Sequence, residues 1–129
     1  VHRYALHKHV RFLGYQTEAS LAVLYRLASV FVIPSLYEGF GLSPLEALAS
    51  GTPVVASNVS SLPEVLGNAA ILVDPYEASA IADGIVTALE DSDVINDLKE
   101  KGRIRVNHFS WNHSIKQVKQ IYQEVGAEN

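Results

Sequence analysis

Short apolar runs alternate with amphipathic stretches along this chain of 129 residues. Residues 10–13 (Val-Arg-Phe-Leu), 30–33 (Val-Phe-Val-Ile), 53–56 (Pro-Val-Val-Ala) and 70–73 (Ala-Ile-Leu-Val) each end at a glycine, a proline or a polar residue, which predicts four strands. The second, closed by Pro34, suits a strand buried on both faces. Elsewhere the apolar positions recur at helical spacing. Thr17 is placed to cap a helix with Leu21, Leu24, Tyr25 and Ala28 on its inner face. A second helix begins near Pro44, a single turn covers 63–66, and a longer helix opens after Asp74-Pro75-Tyr76-Glu77 with Ala78, Ile81, Ala82, Ile85 and Leu89 along one stripe. Two more are expected, one over about 94–106, weakened by Gly102, and one after Ser110 with Trp111, Ile115, Val118, Tyr122 and Val125 in line. Strands separated by helices imply right-handed crossovers, so the expected class is α/β with a parallel sheet. Residues 1–9 carry neither cap nor turn signal and read as the tail of an element that starts upstream.

The stretch 35–51, Ser-Leu-Tyr-Glu-Gly-Phe-Gly-Leu-Ser-Pro-Leu-Glu-Ala-Leu-Ala-Ser-Gly, joins a predicted strand to a predicted helix. In α/β proteins such loops hold phosphorylated ligands. Ser43 reads as the N-cap, Pro44 as the first helical residue, Glu46 as the partner in a capping box, and Gly51 as the stop. Ser61 with Glu64 and Asp74 with Glu77 repeat that spacing. Gly39 and Gly41 leave the backbone bare, so amides can approach an oxygen-rich ligand. This loop is the candidate ligand site.

At 48% hydrophobic and 19% charged residues, the chain has the composition of a soluble globular domain with one core. It contains no membrane-length apolar run and no signal-peptide layout at its start, so a cytoplasmic location is expected. The absence of cysteine excludes disulfides and zinc–thiolate sites. A net charge of −4 argues against nucleic acid as a partner. Between Arg26 and Lys99 there is no lysine, arginine or histidine, while ten acidic residues fall in that interval. A helix N-terminus contributes about 0.3–1 kcal/mol and at most about 2, against about 8 for micromolar binding. Cations from elsewhere must complete any phosphate site here.

Glu38 and Glu46 are the strongest candidates for chemistry, because an ionised carboxylate accepts two hydroxyl donors side by side and so matches the vicinal diol of a sugar. Glu46 has the competing capping role; Glu38 has none.

Residues 31–56 as a whole resemble the donor-binding signature of the family 4, or group 1, retaining GT-B glycosyltransferases. The resemblance continues through Val-Arg-Phe-Leu-Gly-Tyr at 10–15, Leu-Pro-Glu-Val at 62–65, Ala-Ala-Ile-Leu-Val-Asp-Pro at 69–75 and Phe-Ser-Trp at 109–111. It implies that the whole chain, 1–129, is part of a C-terminal Rossmann-like domain with its first strands missing. In that family Glu46 would bind the ribose hydroxyls of a nucleotide sugar and Glu38 would act at the reacting centre on the transferred sugar. The amides of Gly39, Phe40, Gly41, Leu42 and Ser43 would face the sugar and diphosphate, with Phe40 shaping the wall, and the loop 14–17 would lie nearest the base. No metal and no other cofactor is implied, since basic side chains from an earlier segment neutralise the leaving diphosphate. The donor is then a nucleotide diphosphate sugar of mannose or glucose type. The acceptor, a glycan or lipid, would be held by an absent N-terminal domain, and the full enzyme could associate peripherally with a membrane. The chain alone is expected not to transfer sugar.

Other readings carry less. Asp91-Ser92-Asp93 spells a metal-binding Asp-x-Asp but falls between two predicted helices, which suits a solvated turn. His7 and His9 suit solvated positions better than a metal pair, and the glycosylation patterns at Asn58 and Asn112 lack a secretory signal. An epimerase-like protein of the same fold is disfavoured by Glu-Gly-Phe-Gly-Leu at 38–42, and a signalling receiver domain by the lack of its acidic strand ends and late lysine. The alternative that survives is a non-catalytic interaction or nucleotide-binding module of GT-B-like fold.

Overall fold

A computed structural model of the chain describes residues 1–127. At its centre lie three parallel strands, β1 (Phe31–Ile33), β2 (Val54–Ser57) and β3 (Ile71–Val73), side by side in chain order. Around them run α1 (Glu18–Leu27), α2 (Leu42–Ala49), α3 (Leu62–Leu66), α4 (Ala78–Glu90), α5 (Ser92–Val106) and α6 (Trp111–Ala127). The class is the expected α/β, with helices on both faces of a parallel sheet.

Alternation along β2 builds the two halves of the core. Val54 and Ala56 face Tyr25, Leu48, Leu62 and Leu66 from α1, α2 and α3. Val55 points the other way, to Val73 and to Ala88 of α4. All four residues of β2 are buried. β1 is only half-buried, contrary to the two-sided burial its sequence suggests, because it pairs with β2 on one side alone.

The predicted strand at 10–13 does not form. A strand needs a neighbour for its N–H and C=O groups, and among the described residues none lies beside it; Phe12 is 87% exposed. Residues 1–9, which carry no turn signal in the sequence, form two 3₁₀ turns, His2–Tyr4 and Leu6–Lys8.

Thr17 caps α1 as expected, accepting from the Ser20 N–H. In α4 the contact face is rotated from the predicted stripe: Gly84 and Ala88 are its buried residues, whereas Ala82 and Leu89 are exposed. A β-carbon on Gly84 would lie 2.9 Å from Val73 Cγ1 and 3.1 Å from Val55 Cγ1, so glycine lets the helix settle onto the sheet. Gly102, expected to weaken α5, is buried against Leu48 of α2 instead. On α6 the stripe forms as predicted, but Trp111, Ile115, Val118 and Tyr122 are exposed. No helix is long and apolar enough to cross a membrane among the described residues.

Candidate functional site

Parallel strands deliver their following loops to one edge of the sheet, and there ligands bind in α/β proteins. Residues 34–41 leave β1 at that edge and 58–61 leave the adjacent β2. Glu38, in the first of these loops, is half-buried and its Oε1 accepts a 2.8 Å hydrogen bond from the Ser35 hydroxyl. Its backbone meets the second loop. The Glu38 N–H donates to Ser60 Oγ at 3.2 Å, Ser60 Oγ donates to the Glu38 carbonyl at 2.7 Å, and Ser61 Oγ lies 2.9 Å from the carbonyl oxygens of both Glu38 and Phe40.

The start of α2 differs from the sequence reading. Its N-cap is Gly41, at φ 106 with no side-chain cap bond, so Ser43 is the second helical residue and the capping box with Glu46 does not exist. The cause is Gly41 itself. Its left-handed conformation turns the chain two residues earlier, and a β-carbon there would lie 2.9 Å from Leu62 Cδ2. The spacing fails elsewhere too: Ser61 makes no cap bond to α3, and Asp74 forms a local turn with the Tyr76 N–H while α4 starts only at Ala78. Pro44, now third in α2, withholds an N–H that no helical carbonyl would have accepted.

Released from capping, Glu46 lies exposed on α2, and its Oε2 accepts a 3.2 Å hydrogen bond from the hydroxyl of Tyr25. Burial first, and then the bond to Glu46 and its charge, push the Tyr25 phenol above its ordinary pKa, with Ser43 pulling weakly the other way. The Tyr25 ring packs edge-on against Phe31, and its carbonyl accepts from the buried Thr52 hydroxyl. Among the described residues Glu38 and Glu46 share no hydrogen-bond partner. Gly39 is exposed, with open space where a β-carbon would stand, so packing gives no reason for glycine there. Leu42 and Ser43 are exposed in the first turn of α2.

Phe40 packs edge-on against Phe109, 5.7 Å between centroids. Arg105 lies over Phe109 and donates to the carbonyls of Glu64 and Val65 at the end of α3. This cation therefore ties α5 to α3. A hollow of about 540 Å³ opens beside the loop, with Phe40, Leu42, His108, Phe109 and Trp111 in its wall. Asp91 is not a free metal ligand, since its Oδ1 N-caps α5 by accepting from Asp93 and Val94. The contacts of Ser60, Ser61, Arg105 and Tyr25 are absent from the sequence reading, which gives Ser61 only a capping role. Only the two adjacent hydroxyls just beyond a strand end were a visible signal.

Residues 1–105 match the family described as glycosyl transferases group 1. The chain belongs to this family. Its group 1 relatives include the O-antigen chain mannosyltransferase B of Escherichia coli, 42% identical over 113 residues, a match covering 88% of this chain and 30% of that protein. The D-inositol 3-phosphate glycosyltransferase of Corynebacterium glutamicum (strain R) is 35% identical over 122 residues, 93% of this chain and 29% of its own length. The structure of sucrose-phosphate synthase from Thermosynechococcus elongatus superposes with a TM-score of 0.89 at 38% identity, covering 99% of this chain and 33% of that one. The chain thus spans between 29% and 33% of the length of these three proteins. It is a group 1, GT-B glycosyltransferase domain of Rossmann-like fold. The α6 helix lies beyond the family match but inside the structural one.

Proposed function

We propose that this chain is the donor-binding part of a retaining transferase that moves a hexosyl group, of mannose or glucose type, from a nucleotide diphosphate sugar to a glycan or lipid acceptor. The observation that carries the reading is Glu46: no cap employs it, and its exposed carboxylate accepts a hydrogen bond from a tyrosine of another helix. It would take the ribose hydroxyls, and Glu38 the hydroxyls of the transferred sugar. The amides of residues 39–43 would meet the sugar and diphosphate, with Phe40 and Leu42 walling the site. The diphosphate charge would be met by basic side chains of a further segment rather than by a metal. The same further sequence would hold the acceptor, and a lipid acceptor would bring the intact transferase to a membrane surface peripherally. A reducing cytoplasm suits the cysteine-free chain.

Carboxylate–hydroxyl bonds contribute about 1.5–3 kcal/mol each, and each 1.4 kcal/mol is about tenfold. In the intact transferase, meaning this chain joined to the segments that complete it, Glu46→Ala should therefore raise the donor KM by roughly tenfold to a hundredfold, while Glu38→Ala should mainly lower kcat. Wild-type kinetics in both variants would remove the reading.

A further inference from the structure

We propose that Ser60 and Ser61 are positioning residues that aim the amides of Gly39 and Gly41 at the ligand. The proposal rests on the reading of 38–43 as the donor loop. The Ser60 hydroxyl both accepts from the Glu38 N–H and donates to the Glu38 carbonyl, closing a two-bond ring between loops 22 residues apart. The Ser61 hydroxyl has one proton and two acceptors at 2.9 Å, the carbonyls of Glu38 and Phe40, and it shares that proton between them. A trans peptide unit is planar, so its C=O and the next N–H point in opposite directions. Drawing the carbonyls of residues 38 and 40 toward the serines turns the N–H groups of Gly39 and Gly41 away from them. Neither N–H makes a hydrogen bond within the described residues.

The local structure of 58–61 does not call for either hydroxyl. Ser60 holds the left-handed conformation at φ 59, which glycine would adopt without strain. Ser61 sits at the N-cap of α3, the position where a serine side chain ordinarily bonds its own helix, yet it makes no such bond. Each serine thus departs from its locally favoured state, and both point at the same short backbone segment. The ligand suited to the outcome is one that offers anionic or hydroxyl oxygens to these two amide donors, as a sugar or its phosphate does.

The variants Ser60→Gly, Ser61→Ala and Ser61→Thr test the idea. In the isotope-labelled chain, Ser60→Gly should speed exchange of the Glu38 amide at least tenfold without lowering the melting temperature, because the strained φ is relieved as the ring is lost. Ser61→Ala should shift the Gly39 and Gly41 amide resonances, and Ser61→Thr, which keeps the hydroxyl, should leave them in place. In the intact transferase, Ser61→Ala should raise the donor KM at least fivefold, and Ser61→Thr should restore it. Unchanged exchange and resonances in Ser60→Gly and Ser61→Ala overturn the clamp itself. A loosened loop with unaltered donor KM overturns the donor role assigned to the amides, and with it the reading on which the proposal rests.

Discussion

Each of the two candidate acids accepts a hydrogen bond from a hydroxyl of its own, Ser35 for Glu38 and Tyr25 for Glu46. The tyrosine contact can be tested by pH. Because the fold raises the Tyr25 pKa, chiefly by burial, the neutral phenol is the form the native state prefers. That contribution is complete below the ordinary tyrosine value of about 10 and is lost as pH rises through the higher native value. Tyr25→Phe removes the bond to Glu46 and should lower stability by about 1 kcal/mol near neutrality. Urea unfolding should find this gap constant up to about pH 9 and narrowing as pH rises through and above about 10, since the variant has no phenol at this position to ionise. A gap constant with pH would mean that the phenol feels neither its burial nor the carboxylate. The sequence offers one reading of Glu38 and two of Glu46, and the cap of α2 at Gly41 removes the capping one.

At the scale of elements, two glycines set how closely helices approach their neighbours, and their surroundings give them opposite expectations. Alanine is favoured over glycine inside a helix by about 1 kcal/mol. At Gly84 the added β-carbon would press on the γ-methyls of Val73 and Val55, stiff β-branched side chains that cannot move aside. Overpacking of that kind costs about 1–3 kcal/mol, so Gly84→Ala should be destabilising by up to about 2 kcal/mol net. At Gly102 the nearest atom is Leu48 Cδ2, at 3.0 Å, the far end of a flexible side chain. There the propensity gain and the packing cost should nearly cancel, leaving Gly102→Ala within about 0.5 kcal/mol of the unaltered chain. Thermal unfolding of the two variants side by side gives the comparison. Hydrophobic periodicity could not see this, because it weighs Ile85 and Leu89 above Gly84, while the sheet selects the residue that allows the closest approach.

Across the whole molecule, the cation-free interval from residue 27 to 98 holds β1, β2, β3 and the loops at their carboxyl ends. On the proposal above, the described site supplies carboxylates for hydroxyls and a helix N-terminus for phosphate. Those contacts amount to a few kcal/mol, against an association cost of at least about 4. Calorimetric titration of the isolated chain with UDP-glucose or GDP-mannose should therefore give a Kd no tighter than about 1 mM, and the isolated chain should show no sugar transfer. In the intact transferase a chelator should leave the transfer rate unchanged. Micromolar binding by the isolated chain would show that the interval suffices without added cations.

Order of elements, parallel class, the position of the glycine-bearing loop and the family resemblance were all set by the sequence itself, because each depends on neighbours within a turn or two and on unbroken runs of residues. Contacts between distant segments were settled only by the tertiary structure. Whether residues 10–13 pair depends on a strand lying beside them. Which face of α4 is buried depends on the γ-methyls of β2 and β3. The clamp of Ser60 and Ser61 on the loop, and of Tyr25 on Glu46, joins residues more than 20 positions apart. No local periodicity encodes such pairings: the serine contacts arise from adjacent parallel strands delivering their loops to one edge of the sheet, and the tyrosine bond from the packing of α1 against α2.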